Sequence, residues 1–307
     1  MRLLTPVAAL LIVGGTVAAA AFLEWPRATA FSPSSIELAI SVLVAMAAVA
    51  TLALSLGGSV RGRLHVAVVL LAVAEGLLVA HLFDRWPFAA DPFANPRYVA
   101  FLTLVLAATI YGLVRRRIWA RWVGLAFGTF GTLSSGINAV QFVGAQVRDP
   151  WTWTFCAFSL GSAIVGLNLA DRRVADAFLQ GSGPSALWRS TDPLVRVTRW
   201  AVVSCVAAVS MLLVYAWLQP FVAGTADRAL ALALVLGAGA VLTMLRKTLG
   251  GLVLGVGGAA LAAFLVSIAR AGAAEPGLVA YYAVFWAPGA LLGMLCGAMM
   301  LGRALRR

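Results

Sequence analysis

The chain has 307 residues, 62% of them hydrophobic and only 11% charged, with 23 Lys and Arg against 11 Asp and Glu for a formal net charge of +12. Soluble domains hold roughly 25% charged residues, so the composition excludes a soluble globular protein and is that of an integral membrane protein. In such a chain the positive excess belongs to topology and anionic lipid headgroups rather than to a nucleic-acid partner.

A bilayer core about 30 Å thick is crossed by about 20 helical residues. Backbone amides in lipid must pair within their own segment, and these runs lack the in-out alternation of barrel strands, so they are helices. About ten runs have the required length. The first, Leu3 to Leu23, follows Arg2 and imitates a signal peptide, but it is longer than a signal core and reads as a retained anchor. The second is Ile36 to Leu56. The third, Leu64 to Phe83, holds Glu75 near mid-membrane and His81 towards its outer end. The fourth and fifth, Tyr98 to Val114 and Trp119 to Gly144, flank the basic turn Arg115-Arg116-Arg117. The fifth repeats small residues every fourth position at Gly124, Gly128, Thr132 and Gly136, then carries Ser134, Ser135, Asn138 and Gln141. The sixth is Trp151 to Ala170.

A polar break from Asp171 to Arg199 follows. Val174, Ala175, Phe178 and Leu179 share one helical face there, which predicts a short interfacial helix before the turn Gly181-Ser182-Gly183-Pro184. The last four spans are Trp200 to Leu218, Ala229 to Leu245, Thr248 to Ile268 and Leu278 to Leu301. Small residues again recur at Gly251, Gly255 and Ala259, and at Gly289, Gly293 and Gly297. A four-residue period lines one helix face with small groups and lets another backbone approach closely. One weak echo links the halves: Gly112-Leu-Val-Arg-Arg-Arg before a Gly-rich span and Met244-Leu-Arg-Lys before another. The predicted fold class is an all-α, polytopic transmembrane helical bundle of about ten spans. Its organisation is a first bundle over 1–170, a cytoplasmic linker over 171–199 and a second bundle over 200–307.

Orientation follows the positive-inside rule. With the amino terminus inside, the outer loops keep only Arg27, Arg85, Arg97, Arg148, Arg228 and Arg270 of the 23 basic residues, together with most of the acids. Both termini are therefore expected in the cytoplasm. Tryptophans mark the boundaries, as at Trp25, Trp86, Trp119, Trp151, Trp200 and Trp217, whereas Trp286 falls within a span. The Ala-, Arg- and Gly-rich composition points to a bacterial plasma (inner) membrane.

Ionisable groups at mid-membrane are costly and mark function. Glu75 lies roughly 16 Å from the cytoplasmic end of its span at 1.5 Å per residue. Its i±3 and i±4 neighbours, Leu71, Ala72, Leu78 and Val79, are all apolar. No Lys or Arg lies at its depth, so it reads as a neutral carboxyl whose partner comes from another helix or from water. Two readings remain open: a proton- or cation-coupling site, or a helix-holding hydrogen bond. With Glu75, the residues His81, Asn138, Gln141, Tyr281 and Tyr282 are the candidate binding or coupling set, lining a cavity open to the outside.

Cys156, Cys205 and Cys296 lie in different spans and make no zinc or iron–sulfur spacing. His65 and His81 stand on one helix, roughly 24 Å apart along its axis, which excludes a bis-His haem within the chain. No catalytic group, metal or cofactor is expected. Ser134-Ser135 lacks a suitably placed base, and no paired carboxylate stands ready for metal-assisted transfer. The expected activity is that of a permease for a small solute, lipid or ion. The alternatives are a noncatalytic subunit anchoring a larger membrane complex through partner subunits, and a lipid-modifying membrane enzyme. The lipid bilayer is a partner in all three.

Overall fold

The computed structural model describes residues 59–82, 96–145, 150–180, 193–217, 220–245, 248–274 and 276–305. The predicted spans Leu3 to Leu23 and Ile36 to Leu56 lie outside the described residues. Among those described, every regular element is helical and there is no strand. In chain order they are α1 (Val60–Leu82), α2 (Pro96–Val114), α3 (Ile118–Ala145), α4 (Pro150–Ala170), α5 (Arg172–Gln180), α6 (Pro193–Trp217), α7 (Ala226–Met244), α8 (Thr248–Ala271) and α9 (Pro276–Leu305). Five of them, α2, α6, α7, α8 and α9, are long and apolar enough to cross a membrane. The chain divides into two compact units, Met1–Gly183 and Pro184–Arg307.

In the first unit each of α1 to α4 packs on the next and α4 returns to α1. Its helix ends show why the chain turns where it does. Ser59 caps α1 by accepting a hydrogen bond from the Gly62 N–H at 3.0 Å, satisfying one of the orphan donors of a first turn. At the end of α2, Arg116 adopts φ 52°, while its N–H donates to the Leu113 carbonyl and the Arg117 N–H to the Gly112 carbonyl at 2.7 Å. This is the reverse-turn helix stop that normally uses glycine. Here a basic residue takes the left-handed position, and Arg115 lies over the Tyr111 ring at 5.5 Å.

The apolar face predicted at Val174, Phe178 and Leu179 is buried on α5, which packs against α1, α3 and α4. Asp171 starts α5 by accepting hydrogen bonds from the N–H groups of Arg173 and Val174 at 2.8 and 3.3 Å. Its other oxygen pairs with Arg63 of α1 at 3.2 Å. Arg121 of α3, buried at 8% exposure, donates from Nε to the Leu169 carbonyl at 2.8 Å. It thereby satisfies an end carbonyl of α4 that would otherwise be an orphan.

In the second unit α6 begins at Pro193, earlier than the Trp200 boundary read from hydropathy. Proline is pre-organised for the first helical position, and Leu194, Val195 and Thr198 are buried, so a packed amphipathic turn extends the helix beyond its apolar run. Helix α6 faces α7 and α9, and α8 lies between α7 and α9. Its contact with α9 is close: Cys205 Sγ donates to the Gly289 carbonyl at 3.5 Å, and Thr198 Oγ1 lies 3.6 Å from Cys296 Sγ. Both cysteines are free and buried.

Glycine sets the spacing of the tightest pairs. A Cβ on Gly128 of α3 would lie 2.7 Å from the Gly166 Cα of α4, and one on Gly255 of α8 would lie 2.8 Å from the Gly297 Cα of α9. Gly251 faces Met300, Gly293 faces the Leu254 carbonyl and Gly289 faces Ala208, each closer than 3.0 Å from the missing Cβ. Gly124 meets Leu169 at 2.6 Å and Gly136 meets Ser159 Oγ at 3.1 Å. Replacing Gly128 or Gly255 by leucine must separate two backbones, an overpacking that costs about 1–3 kcal/mol. Thermal unfolding in detergent is expected to show this loss in both variants and none in Gly302→Leu, whose missing Cβ has nothing within 4 Å.

Candidate functional site

Glu75 is held in the apolar middle of α1, between the buried Leu71, Ala72 and Gly76. It is itself only 5% exposed. Its Oε2 has no hydrogen-bond partner among the described residues. A buried polar atom left unpaired costs on the order of 1–3 kcal/mol, and most such atoms in native structures are satisfied. Among the described residues its neighbours on α1 are apolar and no charged group stands beside it. The arginines described in the first unit lie in the first or last turns of helices or between them.

A second unpaired polar atom lies at the same level. Thr103 Oγ1 on α2 is buried without a hydrogen-bond partner. Helices α1 and α2 pack together as consecutive elements. Counting from the loop that joins them, Glu75 precedes Leu82 and Thr103 follows Pro96 by the same number of residues, about 10 Å at 1.5 Å per residue. By residue count α1 and α2 thus carry a carboxyl and a hydroxyl at matched distances from their joined ends, each with an oxygen that has no partner among the described residues. Such a pair can bind a proton, a cation or a donor group on a small solute.

The remaining candidates separate between the units. His81 stands on α1 and Asn138 and Gln141 on α3, with side chains outside the described part of the structure. Tyr281 and Tyr282 belong to α9. They join a cluster with Tyr215 of α6, Phe264 of α8, and Phe221, Phe285 and Trp286. Tyr215 is the hub, meeting Phe221, Tyr282 and Trp286 edge-to-face with ring centroids 5.4, 5.2 and 5.5 Å apart. Edge-to-face rings set the positive edge of one against the negative face of the next.

Tyr215 Oη lies 2.5 Å from Thr225 Oγ1, and Thr225 donates its one hydroxyl proton to the Val222 carbonyl at 2.6 Å. Tyr215 is therefore the donor to Thr225. By contrast, the Tyr282 hydroxyl and the Trp286 indole N–H, one helical turn apart on α9, are fully buried without hydrogen-bond partners. At these spacings the rings fill the space between them, so the cluster reads as packing that closes one end of the second unit.

No group of three or more His, Cys, Asp or Glu among the described residues is placed to hold a metal ion. The chain matches no protein-family model, no curated protein and no solved structure.

Hydropathy alone missed Thr103, because one threonine in an apolar run carries no signal until its depth is compared with that of Glu75. Arg121 was equally hidden, since a basic residue next to a loop is ordinarily solvated. Thr225 and Phe221 lie in a short connection whose role appears only when α6 and α9 meet.

The two tyrosines differ in a way that stability can measure. Tyr215→Phe removes a made hydrogen bond and leaves Thr225 with one fewer partner, a loss of about 0.5–1.5 kcal/mol. Tyr282→Phe removes an unsatisfied hydroxyl and is expected to leave stability unchanged or raised. Paired thermal denaturation of the two variants in detergent checks this order.

Proposed function

We propose that this protein is a permease for a small solute or ion, a polytopic bundle of about ten spans with both termini in the cytoplasm of a bacterial plasma membrane. The observation that carries the reading is Glu75: a carboxyl in the apolar middle of α1, buried, with an oxygen that no group among the described residues satisfies. A residue retained only to hold two helices would have its hydrogen bonds made, because in hydrocarbon the unmade bond is the costly state. An unmade bond at that depth is what a site loaded and unloaded during transport requires. Thr103 supplies a second ligand at the same depth. By position along α1 and α3, His81, Asn138 and Gln141 stand towards the helix ends away from the basic turn and are the candidates for the approach to this pair.

A noncatalytic subunit is the second reading. It is favoured by the glycine-locked helix pairs and by the large apolar side chains on the outside of the second unit, including Leu234, Val256 and Leu291 at 74, 70 and 63% exposure. Lipid covers such residues as well as a partner chain would.

The two readings part on Glu75→Gln, which keeps the shape of the side chain and removes its titratable proton. The purified full-length protein is reconstituted in liposomes with an entrapped pH-sensitive dye and challenged with a panel of small solutes. The permease reading expects pH-coupled movement in the wild type and its abolition in Glu75→Gln, with insertion and melting behaviour preserved. Equal coupled flux in the two proteins would remove Glu75 from the mechanism. A stoichiometric partner retained through purification, with no flux, would select the subunit reading.

A further inference from the structure

The two units repeat one arrangement at matching positions. In each, four long helices pack in a closed cycle, α1 to α4 in one and α6 to α9 in the other, each on the next and the fourth on the first. In each, three residues separate the second helix from the third, 115–117 and 245–247. Both connections are basic in sequence, through Arg115, Arg116 and Arg117 in one and Arg246 and Lys247 in the other.

The third helix of each unit carries glycines spaced by four and then three residues. A constant shift of 127 positions carries Gly124, Gly128 and Gly131 onto Gly251, Gly255 and Gly258. What these glycines face is also matched. In the first unit they meet Leu169, Gly166 and Ser162 of α4; in the second Gly251 and Gly255 meet Met300 and Gly297 of α9, while Gly258 meets the Ala290 carbonyl oxygen and the Met294 N at 2.7 and 2.8 Å before the carbonyl carbon of Gly293 at 3.2 Å. A constant shift of 131 positions relates the two sets of partners.

The likeness reaches individual atoms. A Cβ on Gly128 would meet the Cα and N of Gly166 and the carbonyl oxygen of Ser162 at 2.7, 2.8 and 3.1 Å. One on Gly255 would meet the Cα and N of Gly297 and the carbonyl oxygen of Gly293 at 2.8, 3.5 and 3.7 Å. General enrichment of glycine at membrane helix contacts explains close approach at some point along a pair. It does not explain two successive contacts in one register, Gly124 with Leu169 and Gly128 with Gly166, repeated as Gly251 with Met300 and Gly255 with Gly297. The glycines of the second unit stand three residues nearer their turn, less than one turn of helix.

We infer that the chain contains two copies of one four-helix module, α1 to α4 and α6 to α9, whose first helices both enter the bilayer from the basic side. The connection preserves that sense. Helix α5 has nine residues, about 14 Å at 1.5 Å per residue and half of a hydrocarbon core about 30 Å thick. The following segment, 181–192, contains Gly181, Gly183, Pro184, Arg189 and Asp192 and has no apolar length of its own. The copies differ where the first carries its acid: α6 holds no Asp or Glu, so Glu75 is a specialisation of the first copy. The inference stands independently of the permease reading, since it rests on packing register alone.

Sidedness of equivalent positions tests it in the full-length protein, in a background with Cys156, Cys205 and Cys296 replaced by alanine. Single cysteines are placed at one equivalent pair, the second residues of α2 and α7, Arg97→Cys and Asp227→Cys, and at another, the first residues after α2 and α7, Arg115→Cys and Leu245→Cys. An impermeant maleimide applied to intact cells is expected to label the first pair at once and the second only after permeabilisation. Members of one pair labelled from opposite sides would overturn the inference. Register is tested separately by Gly131→Leu and Gly258→Leu. Both are expected to reduce the yield of monodisperse protein severalfold, and a loss confined to one of them would show that the copies do not share a register.

Discussion

Helices in lipid gain little from hiding apolar surface, because the lipid tails around them are equally apolar, so their association depends on how closely two backbones approach. Everything else here follows from two such approaches, α3 against α4 at Gly128 and Gly166, and α8 against α9 at Gly255 and Gly297. A pair locked at backbone contact cannot slide, since each glycine has its own facing residue along the crossing. The fourth helix of each unit is then fixed, and with it the surface on which the first helix packs. In the second unit that surface receives Cys205, which donates to the Gly289 carbonyl, so even the weak sulfur hydrogen bond is a product of glycine spacing.

Rigid pairs make a buried carboxyl more informative. In a loosely packed bundle Glu75 could turn towards a carbonyl or a helix end. The residues around it are Leu71, Ala72 and Gly76, all buried, which offer shape and no hydrogen bond. Stability gives no reason to keep glutamate there. A leucine of similar size would remove the unsatisfied oxygen and add apolar contact, so the acid is retained against the packing gradient. The same logic distinguishes the tyrosines of the outer cluster: Tyr215 has its partner in Thr225, while Tyr282 is held by ring contacts alone.

Much of this architecture is legible without coordinates, and what is illegible has a physical cause. Helical runs such as Thr248 to Ile268 are plain because hydrocarbon permits few alternatives. Helix starts are harder to read, because hydropathy reports where lipid begins and not where hydrogen bonding begins. Pro193 and Leu194 belong to α6 although the residues before Trp200 read as a polar connection. Periodicity identifies small residues on one helix face, but it cannot name the facing residue, so the pairing of Gly128 with Gly166 required three dimensions. Glu75 is conspicuous in sequence by its charge, and Thr103 becomes visible beside it only through the geometry of the α1–α2 hairpin.

The two ends of the first unit's helices use polar chemistry for opposite purposes. At the basic end three charged groups hold the fold: Arg121 closes the last turn of α4, Asp171 opens α5, and Arg63 ties α1 to that junction. These bonds bring the ends of three helices together beneath Glu75. Farther along, Thr109 of α2 donates to the Val105 carbonyl, whereas Glu75 Oε2 and Thr103 Oγ1 have no partner among the described residues. A protein that satisfies its end carbonyls with a buried arginine has the means to satisfy one carboxyl as well. On a framework held rigid from below, the Glu75 oxygen that has no partner among the described residues is the feature on which the proposed binding and release would turn.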